Sequence, residues 1–161
     1  MKKFLKPFII GFLAGMIVMG ICVWFMMPKM MINVYESKFE FNETVSLVEE
    51  AVKNTNDWKT PITFDIRKNI ISAGFYDMTQ VKIVSLCQPE YAHQILNADK
   101  DKLVSSMMPL GIGVYESNDG KIFIAEMNIG LMGKMFGGTI SEVMGKASTD
   151  IETMLDGIVI E

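Results

Sequence analysis

Three sulfur-bearing side chains are where this sequence could do chemistry. Cys87 lies in the run Leu86-Cys87-Gln88-Pro89, and the pair Met107-Met108 stands ahead of Pro109. A thiolate with two thioethers is a soft ligand set of the kind that selects Cu(I). The chain carries 15 methionines, six residues of it reading Met26-Met27-Pro28-Lys29-Met30-Met31, but methionine is also a common filler of cores and membrane-facing surfaces. Cys87 also suits a thiol-dependent redox role. It ends a β-patterned run two residues before Pro89, which is acceptable at the first helical position, and a helix N-terminus stabilises a thiolate. The same run argues the other way: Val81, Ile83, Ser85 and Cys87 alternate onto one strand face, and a thiol buried among apolar groups is inert. Cys87, Met107 and Met108 are thus the ligand, redox or metal candidates. No pattern in the chain names a cofactor.

The other reactive groups form no catalytic constellation. His93 is the single histidine, so a zinc site with several imidazoles or a bis-histidine haem is not available. Helical spacing sets His93 beside Glu90 and Asn97, opposite the apolar stripe of its helix. Asp99 and Asp101 flank lysines in what reads as a solvated turn, and Glu49-Glu50 fall on a polar helix face. No carboxylate pair stands out as acid and base. Glycines at 111, 113, 130, 133, 137 and 138 match neither a P-loop nor a dinucleotide fingerprint and suit close backbone packing.

The elements that must position these residues follow from period and punctuation. Met30 to Phe41 alternates as a first strand. Asn42 reads as an N-cap for a helix whose Val45, Val48, Ala51 and Val52 share a stripe. Pro61 to Ile66 reads as a short strand, and Ile66 to Ala73 as a short helix stopped at Gly74. Gln80 to Cys87 is the next strand, and Pro89 opens a helix with Ala92, Ile95 and Leu96 on one side. Ile112, Val114 and Tyr115 lead into Ser117-Asn118-Asp119-Gly120, and Ile122 and Ile124 lead out with Phe123 and Ala125 opposite, the pattern of a hairpin. Thr139-Ile140-Ser141-Glu142 fits a capping box for a last helix with Ile140, Val143, Met144, Ala147, Ile151, Met154 and Leu155 at helical spacing; Gly130 to Phe136 fits either that helix or a separate turn. The order predicts an α+β fold, a small mixed or antiparallel sheet with helices packed on one face.

In front of this domain, Phe8 to Met27 is an uncharged run of about 20 residues, long enough to cross the roughly 30 Å hydrocarbon layer. It exceeds a signal-peptide core and ends in Val23-Trp24-Phe25-Met26-Met27, too bulky for a cleavage site. The chain divides into a cytoplasmic stub and signal anchor at 1–30 and a domain at 31–161. Lys2, Lys3 and Lys6 precede the span and only Lys29 follows closely, which predicts an N-terminus in the cytoplasm and an extracytoplasmic domain, with the bilayer met through residues 8–27. Gly11 and Gly15 form a GxxxG that would let two such helices approach. No acid occurs before Glu36, so residues 36–161 carry 11 basic and 19 acidic side chains, a balance of −8 against −4 for the whole chain. An acidic domain repels phosphate, which disfavours nucleic acid as a partner. Cys22 lies in the span, so Cys87 has no partner thiol within one domain.

Met107-Met108-Pro109, Val114-Tyr115-Glu116, Asp119-Gly120-Lys121, Met127-Asn128 and the run from Gly130 to Gly138 resemble the bacterial and archaeal family catalogued as domain of unknown function 302. So does Cys87-Gln88-Pro89 with the helix after it. The likeness covers roughly 36–156. It implies a small α+β domain, often seen as a dimer, with no established activity. Members with a similar hairpin commonly carry a cysteine after the Met-Pro, where this chain has Leu110, which removes a second thiol. The sequence therefore reads as a membrane-anchored, non-catalytic binding or interaction domain for a small ligand or metal ion. The alternative is a redox protein acting through Cys87 with an external partner.

Overall fold

The computed structural model describes the backbone of residues 2–160 and the side chains of residues 11–160; those of Lys2, Lys3 and Lys6, on which the orientation rests, lie outside that set. Helix α1 spans Lys2–Met31. Its stretch Gly11–Met31 is apolar and long enough to cross a bilayer, and none of it is buried in the domain. The chain passes without a linker into strand β1, Ile32–Glu36. Then come α2 (Phe41–Lys53), β2 (Thr63–Asp65), α3 (Ile66–Ser72), β3 (Val81–Leu86), α4 (Pro89–Leu96), a 3-10 helix (Asp99–Met107), β4 (Leu110–Glu116), β5 (Ile122–Met127), α5 (Ile129–Phe136) and α6 (Gly138–Leu155).

The five strands form one antiparallel sheet in the order β1-β5-β4-β3-β2. Period-two alternation divides its side chains. Val84, Leu86, Ile112, Val114, Ile122 and Ile124 are buried and meet Val45, Val48 and Val52 of α2 and Ala147, Ile151, Met154 and Leu155 of α6 in one core. The predicted stripe of the last helix is buried at all seven positions. A smaller core joins Ile95 and Val104 to Ile140, Val143 and Met144, with Met107 and Met108 packed against it. The other sheet face is open: Ile32, Val34 and Phe64 are about half exposed, and Tyr115 stacks on Phe123 across the hairpin at 5.5 Å.

Local details depart from the sequence reading in four places. Strand β1 stops at Glu36, and Phe41 is the first residue of α2, drawn into the core at 4 % exposure. The cap position therefore falls on Glu40, and the amide oxygen of Asn42 instead accepts from Lys82 Nζ at 3.4 Å. Residues 99–107 are a 3-10 helix rather than a solvated turn, with Asp101 buried and Val104 in the core. Residues 129–136 form their own helix, capped by the Asn128 side chain, which accepts from Leu131 N at 3.0 Å. Finally, Thr139 does not cap α6. Gly137, at φ +70°, ends α5 and lets α6 begin at once at Gly138, so Thr139 is already helical; an L side chain adopts that φ only with strain.

Helices α5 and α6 pack antiparallel and very closely. A Cβ added at Gly133 would lie 2.7 Å from Met144 Cβ, and one at Gly130 would lie 2.9 Å from Ser148 Oγ. These glycines permit the approach that tucks Ile129 beneath α6.

Candidate functional site

Between β3, α4, the 3-10 helix and α6 lies a cavity of about 410 Å³, within the size range of small-molecule sites. Helix α4 supplies Tyr91, Ala92, Ile95 and Leu96; α6 supplies Val143, Met144 and Ala147; Val104 comes from the 3-10 helix. Cys87, Met107 and Met108 line the same cavity. The structure thus brings together the three residues that the sequence singled out, although 20 positions separate Cys87 from Met107. Pro61 and Pro109 are exposed at its rim.

Strand β3 ends at Leu86, and Cys87 is held just beyond it by a bridge to Lys59, whose N–H donates to Cys87 O at 2.8 Å while Cys87 N donates to Lys59 O at 2.9 Å. Its side chain is half-buried. The next residue, Gln88, caps α4: its Oε1 accepts from Tyr91 N at 2.8 Å, and its Nε2 donates to Asn56 O at 3.4 Å. The thiol therefore sits at the start of α4, as the Pro89 signal predicts, and on the cavity wall.

The polar groups around the cavity are mostly committed elsewhere. Trp58 Nε1 donates to Asp150 Oδ2 at 2.9 Å, and Tyr91 Oη donates to the same oxygen at 3.1 Å. Burial raises the Tyr91 phenol above its ordinary value, and the bond to Asp150 adds to this. None of the described lining residues is charged, so the cavity presents carbon, the thioethers of Met107, Met108 and Met144, and one thiol. Chemically, it can hold a small apolar molecule, and its sulfur atoms can meet a soft electrophile or ion.

Sequence reasoning missed Trp58, Asp150 and the α6 wall as parts of a site. Trp58 stands in what reads as an irregular connection and Asp150 on the polar side of a helix. The one available signal is that Ala92, Ile95 and Leu96 give α4 an apolar stripe of its own to bury. His93 is exposed, as its spacing predicts. Among the described residues no three His, Cys, Asp or Glu side chains cluster as metal ligands. A depression of about 430 Å³ beside α3 is polar, with Asp65, Lys68 and Lys82 on its walls and Arg67 tied to Asp77 by two bonds of 2.9 Å.

The fold and chain pattern define the protein's class. A family model described as "Domain of unknown function DUF302" matches residues 33–158, and the chain belongs to that family. Helix α1 is an addition in front of the matched region. The chain is also similar to a solved structure titled "Crystal structure of uncharacterized conserved protein DUF302 from Bacillus stearothermophilus", with 23 % identity and a TM-score of 0.69 over 79 % of this chain and 97 % of that one; at that identity the likeness speaks for the fold. No curated protein matches the sequence.

Proposed function

We propose that this protein is a membrane-anchored, non-catalytic binding module whose domain holds one small apolar ligand in the cavity between α4, the 3-10 helix and α6. The observation that carries this reading is the lining: 18 described residues, none of them charged, around about 410 Å³. Such a space gains by excluding water from apolar surface, and Met107, Met108 and Met144 give it walls that adapt to shape. The span assigned to α1, with the lysine bias in front of it, supports an extracytoplasmic domain. The open sheet face, together with Gly11 and Gly15 in α1, supports a homodimer in which the second copy covers Ile32, Val34 and Phe64.

Cys87, Met107 and Met108 in the lining of one cavity favour a second reading, a soft metal ion held by thiolate and thioether. Action as a thiol redox protein through Cys87 competes with both. The full chain purified in mild detergent separates them by its retained content. One apolar molecule per chain, lost in Ala92→Phe, supports the module; stoichiometric copper that survives this substitution supports the ion. An empty cavity with a reversible mixed disulfide on Cys87 supports the redox role.

A further inference from the structure

The cavity and the membrane span meet the sheet at the same end. Ile32, the first residue after α1, pairs with Met127; Glu126 pairs with Ile112; and Leu110 pairs with Leu86, one residue before Cys87. Ile32, Met127, Leu110 and Leu86 therefore lie at one end of the sheet, and the cavity residues Leu86, Cys87, Pro109 and Leu110 are at that end. The end of α1 is fastened there too: Asn128 N donates to Met31 O at 2.8 Å and Asn128 Nδ2 to Met30 O at 3.1 Å. Helix α6 runs away from this end. Its first half carries Val143 and Met144 on the cavity wall, and the residues after its last turn reach the opposite end, where Lys38 N donates to Ile158 O and Ile160 N to Glu36 O.

The two ends differ in character. The far end carries the exposed hairpin turn Asn118, Asp119, Gly120 and Lys121. The near end carries exposed apolar groups: Met135 and Phe136, 64 % and 43 % exposed, where α5 turns back into α6, and Ile62 and Pro109 beside the cavity rim. Charged groups at this end include the exposed lysines Lys59 and Lys134.

We propose that the cavity takes the hydrocarbon chain of a lipid directly from the bilayer, entering past Pro61 and Pro109 at the end where α1 leaves the domain. This rests on the reading of the cavity as an apolar-ligand site and of α1 as a span. An uncharged cavity that opens where the span emerges lets a chain pass from one apolar medium to another without crossing water, whereas a cavity serving a water-borne ligand gains nothing from that position.

The chain has two tryptophans, Trp24 in α1 and Trp58 on the cavity wall, so Trp24→Phe leaves Trp58 as the single reporter in the full-length protein. Reconstituted in nanodiscs of phosphatidylcholine brominated along its acyl chains, this protein loses Trp58 fluorescence, and Ala92→Phe or Leu96→Phe, each filling the cavity, restores it. In nanodiscs of plain phosphatidylcholine, bromobenzene quenches the same reporter. Quenching by bromobenzene but not by brominated lipid overturns lipid uptake and leaves the apolar-ligand reading standing. Quenching by neither overturns both. Quenching by brominated lipid that persists undiminished in both folded filling variants means that lipid reaches Trp58 by another route, and overturns the proposal as well. Should the filling variants fail to fold, an unquenched parent in brominated nanodiscs still overturns the proposal.

Discussion

The indole of Trp58 stands edge-on to the phenol of Tyr91, ring centroids 5.9 Å apart and planes at 88°, and both rings donate to one oxygen of Asp150. Edge-to-face contact is a favoured arrangement of two aromatic quadrupoles. The shared carboxylate ties the loop before β2, helix α4 and helix α6 into one wall of the cavity, leaving both rings to show the cavity their carbon rather than their donors.

Asp150→Ala removes the acceptor from two donors, one on a side chain that is 2 % exposed. A loss of about 1–3 kcal/mol follows, the usual cost of unsatisfied buried polar groups. Asp150→Asn keeps one acceptor and should lose less. Denaturant midpoints of the three proteins check this order, and equal midpoints for parent and Asp150→Ala would show that the triad does not hold the wall.

Gly133→Ala sets two effects against each other. Alanine favours helix by about 1 kcal/mol over glycine, but its Cβ would stand 2.7 Å from Met144 Cβ, an atom fixed to the α6 backbone. The helices must part, and overpacking of this kind costs about 1–3 kcal/mol, so the variant should be less stable than the parent. A raised melting temperature would contradict the close contact.

Glu126 is buried on the helix-covered face of the sheet, 7 % exposed, with Asn33 Nδ2 donating to its Oε1 at 3.1 Å. Burial raises its carboxyl above the ordinary value of 4.5; the Asn33 bond opposes this and Glu152 adds to it. Above that ordinary value the unfolded chain has released a proton that the folded chain still holds. The stability this group contributes is thus present at low pH and falls as pH rises through the folded value. Glu126→Gln should flatten that fall, leaving Tyr35 and Glu152 as the titratable neighbours. Urea unfolding of both proteins at pH 4 and pH 7 measures it: the variant should gain on the parent at the higher pH, and a constant difference would contradict the burial argument.

Much of this architecture is legible in the sequence because it is written in local period. The stripe from Ile140 to Leu155 and the alternation around Ile112, Val114, Ile122 and Ile124 each need a few neighbouring positions, and burial honours every one of them. Misreadings fell where a residue answers to a distant partner. Asn42 looks like a cap, but the burial of Phe41 starts the helix two residues early. Asp101 sits in a charged run, yet Val104 pulls that run against α6. The cavity is the extreme case: Trp58, Tyr91 and Asp150 lie 59 to 92 positions from their hydrogen-bond partners, and no local pattern encodes their meeting. Cys87, Met107 and Met108 were found from their chemistry, but that they face one space follows only from the register of β3 with β4.

A dimer through the open sheet face would be broken by a charge there. Val34 is 50 % exposed in edge strand β1, so Val34→Asp should leave the fold intact and reduce the full chain from two copies to one in sedimentation under mild detergent. A parent that sediments as a single copy would remove the homodimer from the proposed function.

The claim that the cavity is a ligand site is tested most directly at Cys87, which reports occupancy from within. With Cys22→Ala leaving Cys87 as the only thiol, N-ethylmaleimide should modify the folded full-length protein at a measurable rate, and saturating bromobenzene should slow it. A rate unchanged by bromobenzene, in a sample whose Trp58 emission bromobenzene quenches, would mean that the probe and the thiol do not share a cavity, and would contradict the account.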